Sequence, residues 1–285
     1  MDKRFRNIIS LGAVNMLHIF IVSLQQDVEK RETISKTLSD FNLDFTFIDA
    51  VYGRELPNEY LNYLINKSSG KLIDRGFPAT PGEIGCTLSH LIAYQQILDN
   101  DLDWACILED DAILDKRFKI FIEGFQDTGL NPKALYILGG QNGLYERQII
   151  KSIKNTKVVG SQDFSKTIRS EQYILRTCCY LISLQLAKKI INLSETKFIL
   201  ADDWDYLVKN KVINRIYMSN FVDHPLDLSL SYIQKERDVA YKDSISSYKN
   251  RKSPIFSRIK PSIEWRLRLL FLNCYKHIEV KDKSY

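Results

Sequence analysis

Residues 104–111, Trp-Ala-Cys-Ile-Leu-Glu-Asp-Asp, form an apolar run that ends in three consecutive carboxylates. Such a run predicts a buried strand that carries Glu109, Asp110 and Asp111 to one point at its C-terminal end. Three adjacent negative charges repel one another and lose hydration when buried, which calls for a compensating cation or polar ligand. Mg²⁺ and Mn²⁺ prefer carboxylate oxygens. The pattern therefore predicts a metal and nucleotide site at the end of a strand, and the alternative is a solvated acidic turn.

A well-marked helix start precedes this strand. Thr80 can cap a helix whose first residue is Pro81, and Glu83 can complete a capping box by reaching back to the Thr80 amide. Gly82 and Gly85 in the first turn are costly for a helix and indicate the close approach of another backbone or a ligand. Ordinary close packing of helices is the alternative explanation for Gly85.

Two motifs resemble those of a known family. Residues 82–90, Gly-Glu-Ile-Gly-Cys-Thr-Leu-Ser-His, are followed after a helix by residues 107–111, Ile-Leu-Glu-Asp-Asp. The pair resembles the signature of glycosyltransferase family 25, the lipooligosaccharide-biosynthesis galactosyltransferases of Gram-negative bacteria. The resemblance covers about residues 17–235. Further matching segments follow in order: residues 18–24 with Arg31, 47–51, 180–183, 202–206 and the surroundings of His224.

Strand and helix patterns alternate along the chain. Strands are predicted at residues 18–24, 44–48, 104–109, 134–139, 178–182 and 213–218. Helices are predicted at residues 27–40, 58–66, 81–99, 115–126, 184–194 and 203–210. This alternation predicts an α/β structure with a mainly parallel central sheet, and the resemblance implies the GT-A nucleotide-sugar-binding fold. Residues 140–172 are rich in polar residues and predict loops or a short hairpin near the acceptor side of the site.

Three parts are predicted: an N-terminal extension (1–16), a catalytic domain (17–240) and a basic C-terminal tail (241–285). With 285 residues and 45% hydrophobic content, the chain can bury a sizeable core. Its basic and apolar N-terminus imitates a signal peptide, but polar interruptions and the lack of a small-residue cleavage site argue against one. No apolar run reaches the roughly 18 residues of a spanning helix. Five cysteines, an odd number without metal-finger spacing, favour reduced thiols in the cytoplasm.

The tail carries the excess positive charge. Residues 249–285 hold a net charge of +7 in a chain that totals +5. Their apolar and basic faces predict an amphipathic helix that can lie on an anionic membrane surface, which favours a peripheral location on the cytoplasmic face of the inner membrane. Packing of the apolar face on the catalytic domain or on another subunit is the alternative, so an oligomer is left open. No nucleic-acid-binding motif accompanies the charge, and we expect no nucleic acid partner.

The metal is expected on one side of the acidic strand end. Glu109 and Asp111 alternate along an extended chain and can point to the same side, while Asp110 points away. We predict that Asp111 binds Mn²⁺ or Mg²⁺, that Glu109 assists it or binds ribose, and that Asp110 belongs to the donor-binding residues. The resemblance implies that His224 completes the metal shell. An ordinary loop histidine beside Pro225 is the alternative.

Inversion at a sugar carbon requires a base for the acceptor hydroxyl. Asp202 and Asp203 open a predicted helix before Trp204, whose ring can stack on the apolar face of a sugar. Helix capping is the alternative role for either aspartate. We predict Asp203 as the base with Asp202 as its substitute. Glu83 is a further candidate, for which capping is favoured.

The nucleotide is expected beyond the carboxyl ends of the strands. Ser23, Leu24 and Arg31 lie just after the first predicted strand, and Arg31 can pair with a diphosphate or remain a solvated charge. Asp49 ends the second strand and can accept from uracil or ribose. From the helix at 81–99, Ser89 and His90 can face the donor, with simple packing as the alternative for His90.

Taken together, the resemblance implies a metal-dependent, inverting transfer of galactose from UDP-galactose to a terminal sugar of a lipid-linked oligosaccharide, lipooligosaccharide or lipopolysaccharide. A UDP-glucose or UDP-N-acetylhexosamine donor is the alternative on the same fold. A non-catalytic glycan- or membrane-binding protein is a further alternative, which the three retained carboxylates disfavour.

Overall fold

The computed structural model describes residues 17–75, 77–229 and 231–247. The predicted extension (1–16) and nearly all of the predicted basic tail lie outside these residues. The strands are β1 (His18–Ser23), β2 (Thr46–Asp49), β3 (Trp104–Glu109), β4 (Ala134–Gly139), β5 (Lys151–Val159), β6 (Gln162–Thr167), β7 (Cys179–Ser183) and β8 (Arg215–Val222). The α-helices are α1 (Val28–Asp40), α2 (Asn58–Asn66), α3 (Lys71–Asp74), α4 (Pro81–Asp99), α5 (Lys116–Glu123), α6 (Leu184–Ser194), α7 (Trp204–Lys209) and α8 (Tyr232–Ser247).

The eight strands of the described residues form one mixed sheet in the order β2-β1-β3-β7-β4-β8-β6-β5. Neighbours are parallel at β2–β1, β1–β3 and β4–β8, and antiparallel at the four other pairings. The expectation of a mainly parallel sheet is therefore wrong. β7 runs antiparallel between β3 and β4, and β5 and β6 form a hairpin, which joins antiparallel strands by a tight turn. Periodicity identifies a strand but does not give its direction.

Helices cover both faces of the sheet, as expected for an α/β chain. Successive residues of a strand face opposite sides, so Cys106 and Leu108 of β3 pack into a core that includes residues of α1 and α5. Ala105 and Ile107 pack into a second core with residues of α4, α6 and α7. β3 is therefore buried on both faces of the sheet, and only its C-terminal residue, Glu109, is partly exposed.

The start of α4 has the predicted geometry. Glu83 N donates to Thr80 Oγ1 at 3.3 Å, and Thr80 N donates to Glu83 Oε2 at 2.9 Å, which completes the capping box. A Cβ on Gly85 would lie 2.4 Å from the Val51 carbonyl oxygen and 2.8 Å from the Gly53 nitrogen. Gly85 thus allows α4 to pack directly on the backbone that follows β2.

The predicted bounds are found in β3, β4, α2, α4 and α6, and the other predicted elements appear with boundaries shifted by a few residues. The region 140–172 contains the predicted hairpin, but its strands extend the central sheet. α8 was not predicted, and it runs across the proposed boundary at residue 240. Within the described ranges, no helix combines the length and apolar character that a bilayer-spanning helix requires.

Candidate active site

A cavity of about 440 Å³ opens at the carboxyl ends of β1 and β3. Its walls come from the segment after β2, the first turns of α4, the loop before α7, the segment after β8 and the first turns of α8. Open α/β sheets bind ligands at this edge. The acidic end of β3 forms part of the cavity wall, so the feature that began the sequence argument lies where a ligand can reach it.

Glu109, Asp111 and His224 converge at this wall. Each offers one ligand atom, and the three atoms lie within 4.8 Å of one another. His224 Nε2 is 3.4 Å from Asp111 Oδ2. Asp110 takes a different direction, because its Oδ2 accepts a 2.7 Å hydrogen bond from Ser23 Oγ and its Oδ1 lies 3.5 Å from Lys30 Nζ. Glu109 and Asp111 therefore point to one side and Asp110 to another, as the alternation of side chains along a strand predicts.

A short backbone bridge brings His224 to the acidic strand end. Ile113 N donates to the Asp223 carbonyl at 2.9 Å, and Asp223 N donates to the Ile113 carbonyl at 3.0 Å. His224 Nδ1 lies 2.8 Å from the Pro225 carbonyl oxygen. A carbonyl oxygen only accepts, so Nδ1 is the donor in this contact, and Nε2 is the ring nitrogen that faces Asp111.

The three residues fit a divalent cation. Asp111 Oδ1 is buried and has no hydrogen-bond partner among the described residues. Burial, together with the nearby Glu109 carboxylate, raises the pKa of Asp111 to about 6. Two carboxylates and an imidazole are ligands that Mn²⁺ accepts. A cation would supply the partner that Asp111 Oδ1 lacks and relieve the repulsion between the carboxylates.

Side chains from α4 and the segment before β7 surround Glu109. Thr177 Oγ1 donates to Glu109 Oε1 at 2.5 Å, and His90 Nε2 lies 3.6 Å from the same oxygen. His90 is 1% exposed and does not line the cavity, so it contacts Glu109 on the side that faces away from the cavity. Ser89 donates to the Gly85 carbonyl and accepts from Val51 N, which places it between α4 and the segment after β2.

Arg31 and Asp49 lie outside the cavity wall. Arg31 donates to the carbonyls of Ser23 and Leu24 at 2.6 and 3.1 Å and to Asp49 Oδ1 at 2.7 Å. The hydrogen bond from Arg31 holds the pKa of Asp49 below its usual value. The arginine therefore ties the ends of β1 and β2 together, and it does not line the cavity in which a diphosphate would lie. Ser23 and Leu24 do line the cavity.

Glu83 lines the cavity, but both of its carboxylate oxygens already accept hydrogen bonds from other residues of the protein. Arg75 donates to both carboxylate oxygens at 2.6 Å, and Arg237 Nε donates to Oε1 at 2.6 Å. These partners outweigh burial and lower the pKa of Glu83 to about 2. With the capping bond to Thr80, this carboxylate is a structural anion, and it is not placed to take a proton.

The two aspartates before α7 have different environments. Asp203 is 1% exposed, accepts from Lys71 N at 2.6 Å and from Tyr206 N at 3.3 Å, and does not line the cavity. It caps α7, so the preference for Asp203 as the base does not agree with the structure. Asp202 lines the cavity, where its Oδ2 accepts from Arg176 N at 3.2 Å.

Trp204 is also placed differently from the prediction. Its side chain is completely buried, lies edge-on to Tyr180 at a centroid distance of 5.4 Å, and donates from Nε1 to the Arg176 carbonyl. The ring is part of the core and cannot stack on a sugar.

Sequence reasoning missed the contribution of residues 176–177 and of α8. Arg176 has a φ of 64°, a left-handed conformation that is uncommon for a non-glycine residue, and its side chain donates to the carbonyls of Gly140 and Asn142. This segment lines the cavity because β7 is antiparallel, so that its beginning lies beside the end of β3. The sequence pattern does not give the direction of β7, and this direction was the information needed to predict the role of residues 176–177.

Several known proteins are similar to this chain. It is 30% identical over 179 residues to procollagen galactosyltransferase 1-B of Xenopus laevis, covering 61% of this chain and 28% of that protein. Lipooligosaccharide biosynthesis protein lic2B of Haemophilus influenzae is 33% identical over 107 residues, 37% of this chain and 38% of that protein. Another Haemophilus influenzae protein is 24% identical over 85% of this chain and 82% of its own length. The chain spans about a third or less of the procollagen galactosyltransferases that it matches.

A solved glycosyltransferase involved in the glycosylation of the major capsid of PBCV-1 matches with a TM-score of 0.37 and 9% identity, covering 77% of this chain and 98% of that one. The family model described as Glycosyltransferase family 25 (LPS biosynthesis protein) matches residues 16–204, well over half of the chain. The chain therefore belongs to glycosyltransferase family 25.

Proposed function

We propose that the protein is a metal-dependent, inverting galactosyltransferase with a GT-A-like fold. It would transfer galactose from UDP-galactose to a terminal sugar of lipooligosaccharide or lipopolysaccharide. The observation that carries the proposal is the convergence of Glu109, Asp111 and His224 on one wall of a large cavity in a member of this family.

Asp111, Glu109 and His224 would hold Mn²⁺ or Mg²⁺. When bound, the cation supplies positive charge that stabilises the diphosphate leaving group more in the transition state than in the ground state. The unpartnered Oδ1 of Asp111 supports this assignment, since a buried carboxylate oxygen without a hydrogen bond is costly. The position of His224 Nε2, 3.4 Å from Asp111 Oδ2, supports it further, because a ring nitrogen there can also bind the cation.

The donor nucleotide would lie at the end of β1. Ser23, Leu24 and Lys30 line this part of the cavity, and the Lys30 ammonium, 3.5 Å from Asp110 Oδ1, would face phosphate oxygens. Arg31 and Asp49 would act indirectly, because their ion pair fixes the backbone that presents Ser23 and Leu24.

Asp202 would be the general base. Its carboxylate borders the cavity and can accept the proton of an acceptor hydroxyl as that oxygen bonds to the anomeric carbon of the donor sugar. The bond from the anomeric carbon to the phosphate oxygen breaks, and UDP leaves with the electron pair. Arg176 N donates to Asp202, which orients the carboxylate.

The names of relatives support the sugar and the acceptor. Procollagen galactosyltransferases and a lipooligosaccharide biosynthesis protein are among the similar proteins. The predicted basic tail, beyond the described residues, would bring the enzyme to a lipid-linked acceptor on the cytoplasmic face of the inner membrane.

A donor panel tests the proposal. UDP-galactose, UDP-glucose and two UDP-N-acetylhexosamines are incubated with the full chain and Mn²⁺, Mg²⁺ or a chelator, and UDP release is measured. We expect the fastest release from UDP-galactose and its loss in the chelator. Fastest release from another UDP-sugar would replace the donor assignment, equal rates in the chelator would overturn the metal dependence, and no release from any donor would contradict catalysis.

A further inference from the structure

A second group of metal-binding side chains lies beside the candidate active site. Cys86 and His90 are one helical turn apart on α4 and face Glu109 at the end of β3. The sulfur of Cys86, a ring nitrogen of His90 and a carboxylate oxygen of Glu109 all lie within 4.8 Å of one another. Residues four apart on a helix project from the same face, so the spacing on α4 and the end of β3 produce this cluster together.

His90 points an unpartnered nitrogen into the cluster. The side chain is 1% exposed, and its Nε2 is buried without a hydrogen-bond partner among the described residues. Its Nδ1 lies 2.7 Å from Tyr180 Oη, which is itself 2.8 Å from Tyr94 Oη. In the tautomer with the proton on Nδ1, the Tyr180 hydroxyl accepts that proton, and Nε2, 3.6 Å from Glu109 Oε1, has a lone pair for a metal. Metal-binding histidines are commonly oriented by such a bond from the other ring nitrogen.

Cys86 supplies a different kind of ligand from those of the candidate Mn²⁺ site. It is a free thiol and lines the cavity together with Glu109, so an ion can reach it from solvent. Sulfur and imidazole favour Zn²⁺ and similar ions over Mg²⁺ and Mn²⁺, which favour oxygen. Three protein ligands with a fourth position open to solvent is an arrangement that Zn²⁺ adopts.

We propose that Cys86, His90 and Glu109 form a second site, selective for a thiophilic divalent cation such as Zn²⁺. Binding releases the thiol proton of Cys86 to solvent as the metal–sulfur bond forms. Glu109 belongs to both clusters, so an ion at this site competes with the Asp111 site for the same carboxylate. The binding site itself does not depend on the proposed transferase reaction.

Co²⁺ is the probe, because a cobalt–thiolate bond gives a charge-transfer absorption in the near ultraviolet. The full chain is titrated with Co²⁺ and then with Zn²⁺, alongside the Cys86→Ser and Cys178→Ala variants. Cys178 is the matched control: it too lies beside the acidic strand end, but it is buried and its sulfur lies 3.8 Å from the Asp223 carbonyl oxygen. Circular dichroism confirms that each variant is folded.

We expect a band in the parent chain and in Cys178→Ala, its loss in Cys86→Ser, and its removal by Zn²⁺. A folded parent chain without a band, a band that survives in Cys86→Ser, or one lost only in Cys178→Ala would overturn the site. If Cys86→Ser does not fold, alkylation of the parent chain decides: Zn²⁺ should protect Cys86 from modification, and unchanged modification would overturn the proposal. Neither readout requires glycosyl transfer.

Discussion

Replacement of Glu83 by glutamine should strongly destabilise the protein. This carboxylate is 3% exposed and joins three parts of the chain: the capping box of α4, Arg75 after α3, and Arg237 of α8. Glutamine has nearly the same shape but cannot neutralise the two guanidinium groups. The variant therefore leaves two cations without their shared anion, which is the costly way to break a buried ion pair.

The size of the effect follows from the pKa of Glu83, which is lowered from 4.5 to about 2. One pKa unit corresponds to about 1.4 kcal/mol, so charged Glu83 contributes on the order of 3 kcal/mol to the free energy of unfolding at neutral pH. Because the folded-state pKa is the lower one, this contribution is present above about pH 4.5 and is lost as the pH falls towards 2.

Urea denaturation at a series of pH values between 7 and 3 measures both effects. Glu83→Gln should lose about 3 kcal/mol at pH 7 and show a flatter decline in stability below pH 5 than the parent chain. Glu123→Gln is the control, since Glu123 is about half exposed and pairs with Lys119 on the surface of α5; it should lose less than about 0.5 kcal/mol. Equal stability of Glu83→Gln and the parent chain would refute the reasoning.

Two further predictions concern the base and the tail. Asp202→Asn should lower turnover by roughly 10²–10⁴-fold while UDP binding persists, and turnover at the parental rate would exclude Asp202 as the base. Asp203→Ala should mainly lower the melting temperature, because it removes a helix cap worth roughly 0.5–2 kcal/mol. Truncation after Lys249 should weaken binding to anionic vesicles in a sedimentation assay without lowering UDP-sugar hydrolysis, and vesicle binding at the parental level would argue against membrane docking.

Local sequence patterns were sufficient to predict two central elements of the site, helix α4 and strand β3. Thr80, Pro81 and Glu83 specify the start of α4 through contacts within four residues, and the apolar run before Glu109 specifies a buried strand. Strand alternation then separates Glu109 and Asp111 from Asp110. These properties depend on the neighbouring residues in the chain, so they can be predicted from sequence.

Other features depend on contacts between distant residues. Asp202 and Asp203 are both good capping residues, and only the approach of Lys71 N and Tyr206 N to Asp203 shows which one caps. The direction of β7 depends on its pairing with β3 and β4, and it determines that Arg176 reaches the cavity. The sequence pattern of Arg31 fits a phosphate contact or a solvated charge, and its bonds to Ser23 and Asp49 arise only because β1 and β2 pair in the sheet. The placement of His224 was predicted from family resemblance, and the bridge between Ile113 and Asp223 supplies its physical cause.

The most direct test of a metal-assisted donor site is the Mn²⁺ dependence of UDP binding in Asp111→Asn, measured by calorimetry. Asn has the same shape but lacks the charge, and Asp99→Asn on the exposed side of α4 is the matched control. Mn²⁺ should strengthen UDP binding in the parent chain and in the control. In Asp111→Asn this strengthening should fall by more than the roughly 10–100-fold loss that is typical when a residue that only orients a metal ligand is replaced. An equal gain from Mn²⁺ in Asp111→Asn would contradict a cation held by Asp111 at the end of β3.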